Sequence, residues 1–219
     1  MRTVLIFLTL PFLVCSLNVL FYVFALAQSH IPFHNTAIKV LLDRGHTVDV
    51  VIARYNEMVD IHYPKGVRRN YTYGYDDANY WSKYAVHLEN IFEIKPTPWA
   101  EFTRYDNAAF ELCETAVRDP NLIEFIKHGQ YHIGIGSDYD PCANVIMHAA
   151  GVPVKASMIP TPMFPQQVLP AGLPTPASLY GSLFVSMNYV LGCRESLQNF
   201  IVHLDKRGIS YMRHYNQQM

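Results

Sequence analysis

Residues 17–53, LNVLFYVFALAQSHIPFHNTAIKVLLDRGHTVDVVIA, decide the fold. Leu17 to Phe24 is rich in β-branched and aromatic residues and short enough for a buried strand. Pro32 suits the first turn of a helix, where its missing N–H would have no partner anyway. Thr36, Ala37, Val40, Leu41 and Leu42 follow at helical spacing, with Lys39, Asp43 and Arg44 on the solvent side. Gly45 is a helix stop that tolerates positive φ. Thr47 to Ala53 then reads as a second strand. Strand, loop, helix, Gly, strand is a βαβ unit, and an open sheet built of such units binds ligands beyond the carboxyl ends of its strands. The loop from Ala25 to Ile31 lies there, so His30 is the first candidate for chemistry.

Working back towards the N-terminus, residues Thr3 to Ala27 carry no charge, long enough for a membrane span. Pro11 and the Cys15-Ser16-Leu17-Asn18 break divide the run. Arg2, the apolar Val4 to Val14 and the small pair Cys15-Ser16 have the order of a secretory signal. The expectation is a signal over 1–16 and a domain over 17–219; the rival is one anchor helix across Val4 to Leu26.

Working forward, residues 56–104 lose the pattern amid many Tyr and Asn residues and Lys95-Pro96-Thr97-Pro98. This stretch reads as an irregular insertion with short elements, among them a helix at Trp81 to Leu88. Phe110 to Val117 predicts a helix stopped by Asp119-Pro120, and Leu122 to Lys127 a shorter one ended by Gly129. Tyr131 to Gly136 reads as a core strand with Ser137-Asp138-Tyr139-Asp140 as its exit loop. Cys142 to Ala150 is helical, and Gly151 to Ala156 returns as a strand. A Pro-rich loop spans Pro160 to Pro176, and Leu183 to Asp205 is mostly helical. The class is α/β, a Rossmann-like doubly wound parallel sheet.

The whole chain has 219 residues, half of them hydrophobic, 16% charged, with a net charge of −1. That balance fits one globular domain and leaves no basic footprint for nucleic acid. Without Cys15, three cysteines remain, Cys113, Cys142 and Cys193, which form neither a zinc pattern nor a disulfide framework. One disulfide is possible in an oxidising lumen, with the pair left open. Asn70-Tyr71-Thr72 is a glycosylation sequon consistent with that compartment.

Several motifs invite chemistry. Gly134-x-Gly136 follows a strand, but the third glycine of a dinucleotide fingerprint would fall on Tyr139, so that reading fails. His30 and His34 stand four apart without a third ligand, and no metal site is expected. Asp138-Tyr139-Asp140 could hold a divalent ion, though such a triplet is common. The favoured reading makes His30 a general base and Asp138 or Asp140 its carboxylate, because both loops leave core strands at the same edge. The bland reading is a helix-start histidine that only bonds its loop. Met158, Met163 and Phe164 are candidates to line an apolar pocket, methionine being adaptable.

Gln28-Ser29-His30 with Asn35, then Arg44-Gly45-His46-Thr47-Val48, resembles the opening of the UDP-glucuronosyl/UDP-glucosyltransferase family, particularly its animal members. Tyr131 to Ile135 with Asp140-Pro141-Cys142, then Gly151-Val152-Pro153 and Gly172 to Ser178, resemble later segments in the correct order. The resemblance implies the N-terminal, acceptor-binding domain of a two-domain glycosyltransferase of the endoplasmic reticulum. In that family a histidine, here His30, takes the acceptor's proton, and the sugar is transferred from UDP with inversion and without a metal. The UDP-sugar is a co-substrate held by a second domain, and no other cofactor is expected. The implied partners are a small lipophilic hydroxyl acceptor, the UDP-sugar, and related transferases as oligomer partners. The family's acidic partner aligns to Ser137, with Asp138 one residue late and Asp140 three late; Asp138 is the expected partner. The family's second domain and C-terminal anchor do not follow within 219 residues, so the chain alone is expected to be inactive. The alternative function is a non-catalytic, lipophile-binding or regulatory partner of full-length enzymes.

Overall fold

The computed structural model describes residues 16–56, 58–74, 99–137, 139 and 142–160. It contains a five-stranded parallel sheet in the order β3-β2-β1-β4-β5. The strands are β1 (Asn18–Phe24), β2 (Thr47–Arg54), β3 (Arg69–Gly74), β4 (Ile133–Gly136) and β5 (Val154–Ser157). The helices are α1 (His30–Asp43), α2 (Trp99–Arg118), α3 (Pro120–Lys127) and α4 (Cys142–Ala149). The α/β, Rossmann-like expectation is therefore correct.

β1 is the central strand and is buried on both faces, as a strand covered by helices on each side must be. One side chain set, Leu20, Tyr22 and Phe24, packs with Leu112, Ala116, Leu122, Ile126, Ile146 and Met147 of α2, α3 and α4. The alternate set, Val19, Phe21 and Val23, packs with Ile31 and Ile38 of α1. The same alternation divides β2 between the two clusters. Asn18–Phe24 is thus a strand and no part of an anchor helix, while residues 1–15 lie outside the described residues. Among the described residues no helix is long and apolar enough to cross a membrane.

α1 stops as the sequence predicts. Gly45 takes φ +81°, its N–H donates to the Leu42 carbonyl, and the His46 N–H reaches back to the Leu41 carbonyl. These two bonds satisfy carbonyls that a helix end otherwise leaves open. The Gly134-x-Gly136 pair also has a packing role. A Cβ at Gly134 would meet the Met147 sulfur at 2.5 Å, and one at Gly136 would meet Ala143 Cβ at 2.6 Å. Bare backbone on β4 is what lets α4 lie close against it.

Two expectations need correction. The stretch read as irregular contains β3, which pairs in parallel with β2 from Asp49↔Arg69 to Arg54↔Gly74. Its polar and tyrosine-rich sequence hides the alternation, because its inward residues are Tyr71 and Tyr73, whose hydroxyls bond Asp119 and Tyr22. The helix expected from Phe110 begins at Trp99, directly after Pro98, so the proline pair precedes a helix start. The helix expected at Trp81 to Leu88, the Pro-rich loop's body and the Leu183 to Asp205 tail lie outside the described residues.

Cys113 of α2 and Cys142, the first residue of α4, form a disulfide, which settles the pair that the spacing left open. Their separation of 29 residues gives a chain-entropy stabilisation of about 3–4 kcal/mol. Changing both to Ala should lower the unfolding free energy by about that amount, as measured by urea titration under non-reducing conditions. Coincident curves for variant and parent would show that the bond constrains nothing.

Candidate functional site

The site lies where the strand order reverses. From β1 the chain crosses to β2 on one side, while β4 pairs with the other side of β1. The loops leaving β1 and β4 therefore emerge on either side of the switch point at the carboxyl edge of the sheet, where open sheets of this kind have their ligand-binding crevice. His30 begins α1 beyond β1, and Ser137 and Tyr139 follow β4.

The start of α1 is held by main chain and by neighbouring loops. The His30 N–H donates to the Ala27 carbonyl at 3.0 Å, and the Ser29 side chain makes no cap bond. Gln28 exchanges two bonds with the Asp60 backbone, at 2.8 and 3.3 Å. The Asn56 amide reaches the Leu26 carbonyl at 3.3 Å, and that of Asn35 the His62 carbonyl at 2.8 Å. The loops after β1 and β2 are latched together, and the latch fixes the direction in which His30 leaves the sheet.

The His30 ring is 6% exposed, with Nδ1 3.4 Å from the Phe24 carbonyl. Read with Nδ1 as the donor, that contact leaves Nε2 as the basic nitrogen. Burial holds the imidazole below its ordinary pKa; the Phe24 carbonyl opposes this, and the nearby His34 adds to it. Its place on the first residue of α1, at the positive end of the helix dipole, also favours the neutral ring. At neutral pH His30 is therefore an uncharged base. Its ring stacks on that of Tyr139, with centroids 4.6 Å apart and planes inclined by 22°.

His34, one turn on, is fully buried and bonds the His30 carbonyl through Nδ1 at 2.8 Å. Burial lowers its pKa as well, against smaller opposing effects of the His30 and Met158 backbones. Its Nε2 nonetheless makes no well-formed hydrogen bond among the described residues. Ser137, fully buried, likewise has an Oγ without a hydrogen-bond partner among the described residues. Among the described residues no group of three His, Cys, Asp or Glu side chains converges as a metal site would require.

The expected site residues are distributed unevenly. His30 is at the crevice, and Met158 follows β5, its N–H bonded to the Gly136 carbonyl at 2.8 Å and its side chain packed beside the α1 cluster. Asp138, Asp140, Met163 and Phe164 lie outside the described residues. Sequence reasoning passed over Tyr139 as a participant, although its place in the exit loop of β4 is a usable signal. It also missed Tyr105, whose hydroxyl donates to the Tyr139 carbonyl at 2.8 Å. A cavity of about 490 Å³ opens at the carboxyl ends of β2 and β3, lined by Arg54, Met58, Val59, Asp60, Ile61 and Thr72. His30 is not in its wall; Asp60, which is, has its backbone bonded to Gln28, two residues before His30.

An open parallel sheet with helices on both faces and a buried histidine at the helix start beyond its central strand defines a Rossmann-like α/β domain. The chain matches the family model described as UDP-glucoronosyl and UDP-glucosyl transferase over residues 19–218, and it belongs to that family of glycosyltransferases. Neither the curated proteins nor the solved structures gave a match.

Proposed function

We propose that this chain is the acceptor-binding part of a UDP-glycosyltransferase that moves glucuronic acid or glucose onto a small lipophilic hydroxyl compound with inversion. The observation that supports this reading best is the buried, neutral His30 ring at the start of α1, its Nδ1 turned to the Phe24 carbonyl. In the reaction Nε2 takes the hydroxyl proton as the acceptor oxygen attacks the anomeric carbon. The bond from that carbon to the UDP oxygen breaks, and UDP leaves with the electron pair. Asp138 is the carboxylate assigned to the imidazolium, replacing the neutral main-chain carbonyl as acceptor from Nδ1. Met158, Met163 and Phe164 would contact the apolar body of the acceptor, and a second domain would hold the UDP-sugar.

The reading extends to the lumen of the endoplasmic reticulum, reached through the signal over 1–16, and to association with related transferases. The Cys113–Cys142 bond suits an oxidising compartment, and Asn70 of the sequon is exposed on β3.

One observation favours a second reading, a lipophile-binding partner without catalysis. The residue aligned with the family's acid is Ser137, and among the described residues its hydroxyl has no hydrogen-bond partner. A single experiment separates the two. The chain, supplied with a donor-binding domain of the family, is incubated with UDP-glucuronic acid or UDP-glucose and a panel of phenols. The enzyme reading expects β-linked product from the α-linked donor, read from the anomeric proton coupling. Retained configuration would overturn the mechanism, and phenol binding without transfer would favour the second reading.

A further inference from the structure

We infer that Tyr139 is a positioning residue for His30: its ring lies over the imidazole, holds the base in register and supports the positive charge acquired with the acceptor's proton. The inference rests on the reading of His30 as the base.

The geometry is specific. Centroids 4.6 Å apart with planes 22° from parallel are an offset-stacked pair, and a cation within about 6 Å of a tyrosine ring is drawn to its negative face. His30 is 6% exposed, so little water screens that attraction. Tyr139 is itself secured. Its carbonyl accepts from the Tyr105 hydroxyl at 2.8 Å, and the Tyr105 ring meets those of Phe24 and Tyr55 at 6.4 and 5.5 Å. Phe24 in turn offers the carbonyl that His30 Nδ1 faces. The imidazole is thus enclosed in a circuit that runs from Phe24 through His30, Tyr139 and Tyr105 back to Phe24.

The circuit does work that Ser137 does not. Ser137 occupies the position where a carboxylate is expected, yet among the described residues its buried Oγ makes no hydrogen bond to the imidazole or to any other group. The other groups that bear on His30 are His34 from its own helix, with Nδ1 committed to the His30 carbonyl, and the uncharged Phe24 carbonyl from β1. From the β4 exit the ring of Tyr139 is the group in contact; Asp138 and Asp140, its neighbours in sequence, lie outside the described residues. A polarisable face beside a buried base gives the imidazolium a partner in addition to any carboxylate on Nδ1.

The test combines rate with titration. Tyr139→Leu keeps an apolar cover but removes the ring face. It should lower kcat by about 3–30-fold with a smaller change in KM. It should also move the acid limb of kcat/KM downward by about half a pH unit or more. The His30 midpoint, followed by NMR in the 219-residue chain labelled at histidine, should fall in parallel. Tyr139→Phe keeps the face and should recover most of the loss, while Tyr139→Trp, with the strongest face, should hold the midpoint or raise it should the Leu variant not fold. An unchanged or raised midpoint in Tyr139→Leu, or a midpoint lowered by Trp, overturns the inference, because mere loss of cover would hydrate the ring and favour its charged form. His30→Ala, run in parallel, separates the two failures. If transfer survives that change, the reading of the base is wrong; if it is lost while Tyr139→Leu moves nothing, only the role of Tyr139 is wrong.

Discussion

His30→Ala should lower kcat/KM for sugar transfer by about 10²–10⁴-fold, the range general-base catalysis supplies. The expectation follows from the protonation state as much as from position. Burial first, and His34 second, hold the imidazole below its ordinary value near 6.5, with the Phe24 carbonyl opposing them. The ring is therefore already deprotonated at neutral pH, and the rate should stay flat as pH falls to about 6.5 before declining. The acid limb should vanish in His30→Ala along with most of the rate. Initial rates between pH 5 and 8, with parent and variant side by side, test both parts. His30→Asn is the useful control, since its amide nitrogen falls where Nδ1 does. It can still donate to the Phe24 carbonyl but cannot accept a proton near neutrality, so it should be as poor as Ala. Activity within a few-fold of parent in either variant would leave His30 only the task of starting α1.

Asp49 gives the second large effect, on stability. It is fully buried near the start of β2, where it accepts bonds from Arg68 at 2.9 and 2.7 Å, from Arg69 at 2.9 and 2.8 Å, and from the Tyr131 hydroxyl at 2.6 Å. Burial alone would raise its pKa, but the bonds from Arg68, Tyr131 and Arg69 outweigh it, and the carboxyl sits below its ordinary value. Asp49→Asn should therefore cost about 3 kcal/mol, the low end for breaking a buried charged pair. The low end applies because the two arginine side chains are 40% and 33% exposed and can be rehydrated. The Tyr131 hydroxyl, by contrast, is left with a poorer acceptor. The pH dependence has a definite sign. A depressed folded pKa means that the unfolded chain binds the proton more readily, so the stabilisation is complete above about 3.9 and is lost as pH falls through the lower, folded value. Urea midpoints should differ widely at pH 7 and converge as pH drops below about 4. A gap that persists in acid would mean that shape and not charge sustains the site.

The contrast between these residues explains how far the sequence could be read. His30 was accessible because everything that places it is local: strand, loop, Pro32, helical spacing and Gly45 lie within a few dozen residues. Asp49 gave no warning inside an apolar run, since its partners are 19, 20 and 82 residues away and only the sheet brings them together. β3 escaped for a related reason. Tyrosine is apolar enough to face a core and polar enough to look like a loop, and the hydroxyls of Tyr71 and Tyr73 find partners supplied by distant elements. Tyr139 was visible only as the middle of a D-x-D triplet, where attention falls on the acids. Its stacking depends on how the exit from β4 meets the start of α1, and no periodicity encodes that meeting.

The central position of β1 has a consequence for biosynthesis. β2 follows closely and can zip onto one side of β1 while the polypeptide is still emerging, but β4 must close the other side, and 114 residues separate Asn18 from its partner His132. At a translation rate of about 5–20 residues per second, that flank waits roughly 6–23 s for its complement. During the interval the backbone amides and carbonyls between Val19 and Tyr22 that β4 will later engage remain an open, sticky margin beside newly made apolar side chains. This flank of β1 gains its neighbour only when the ribosome delivers Ile133 to Gly136.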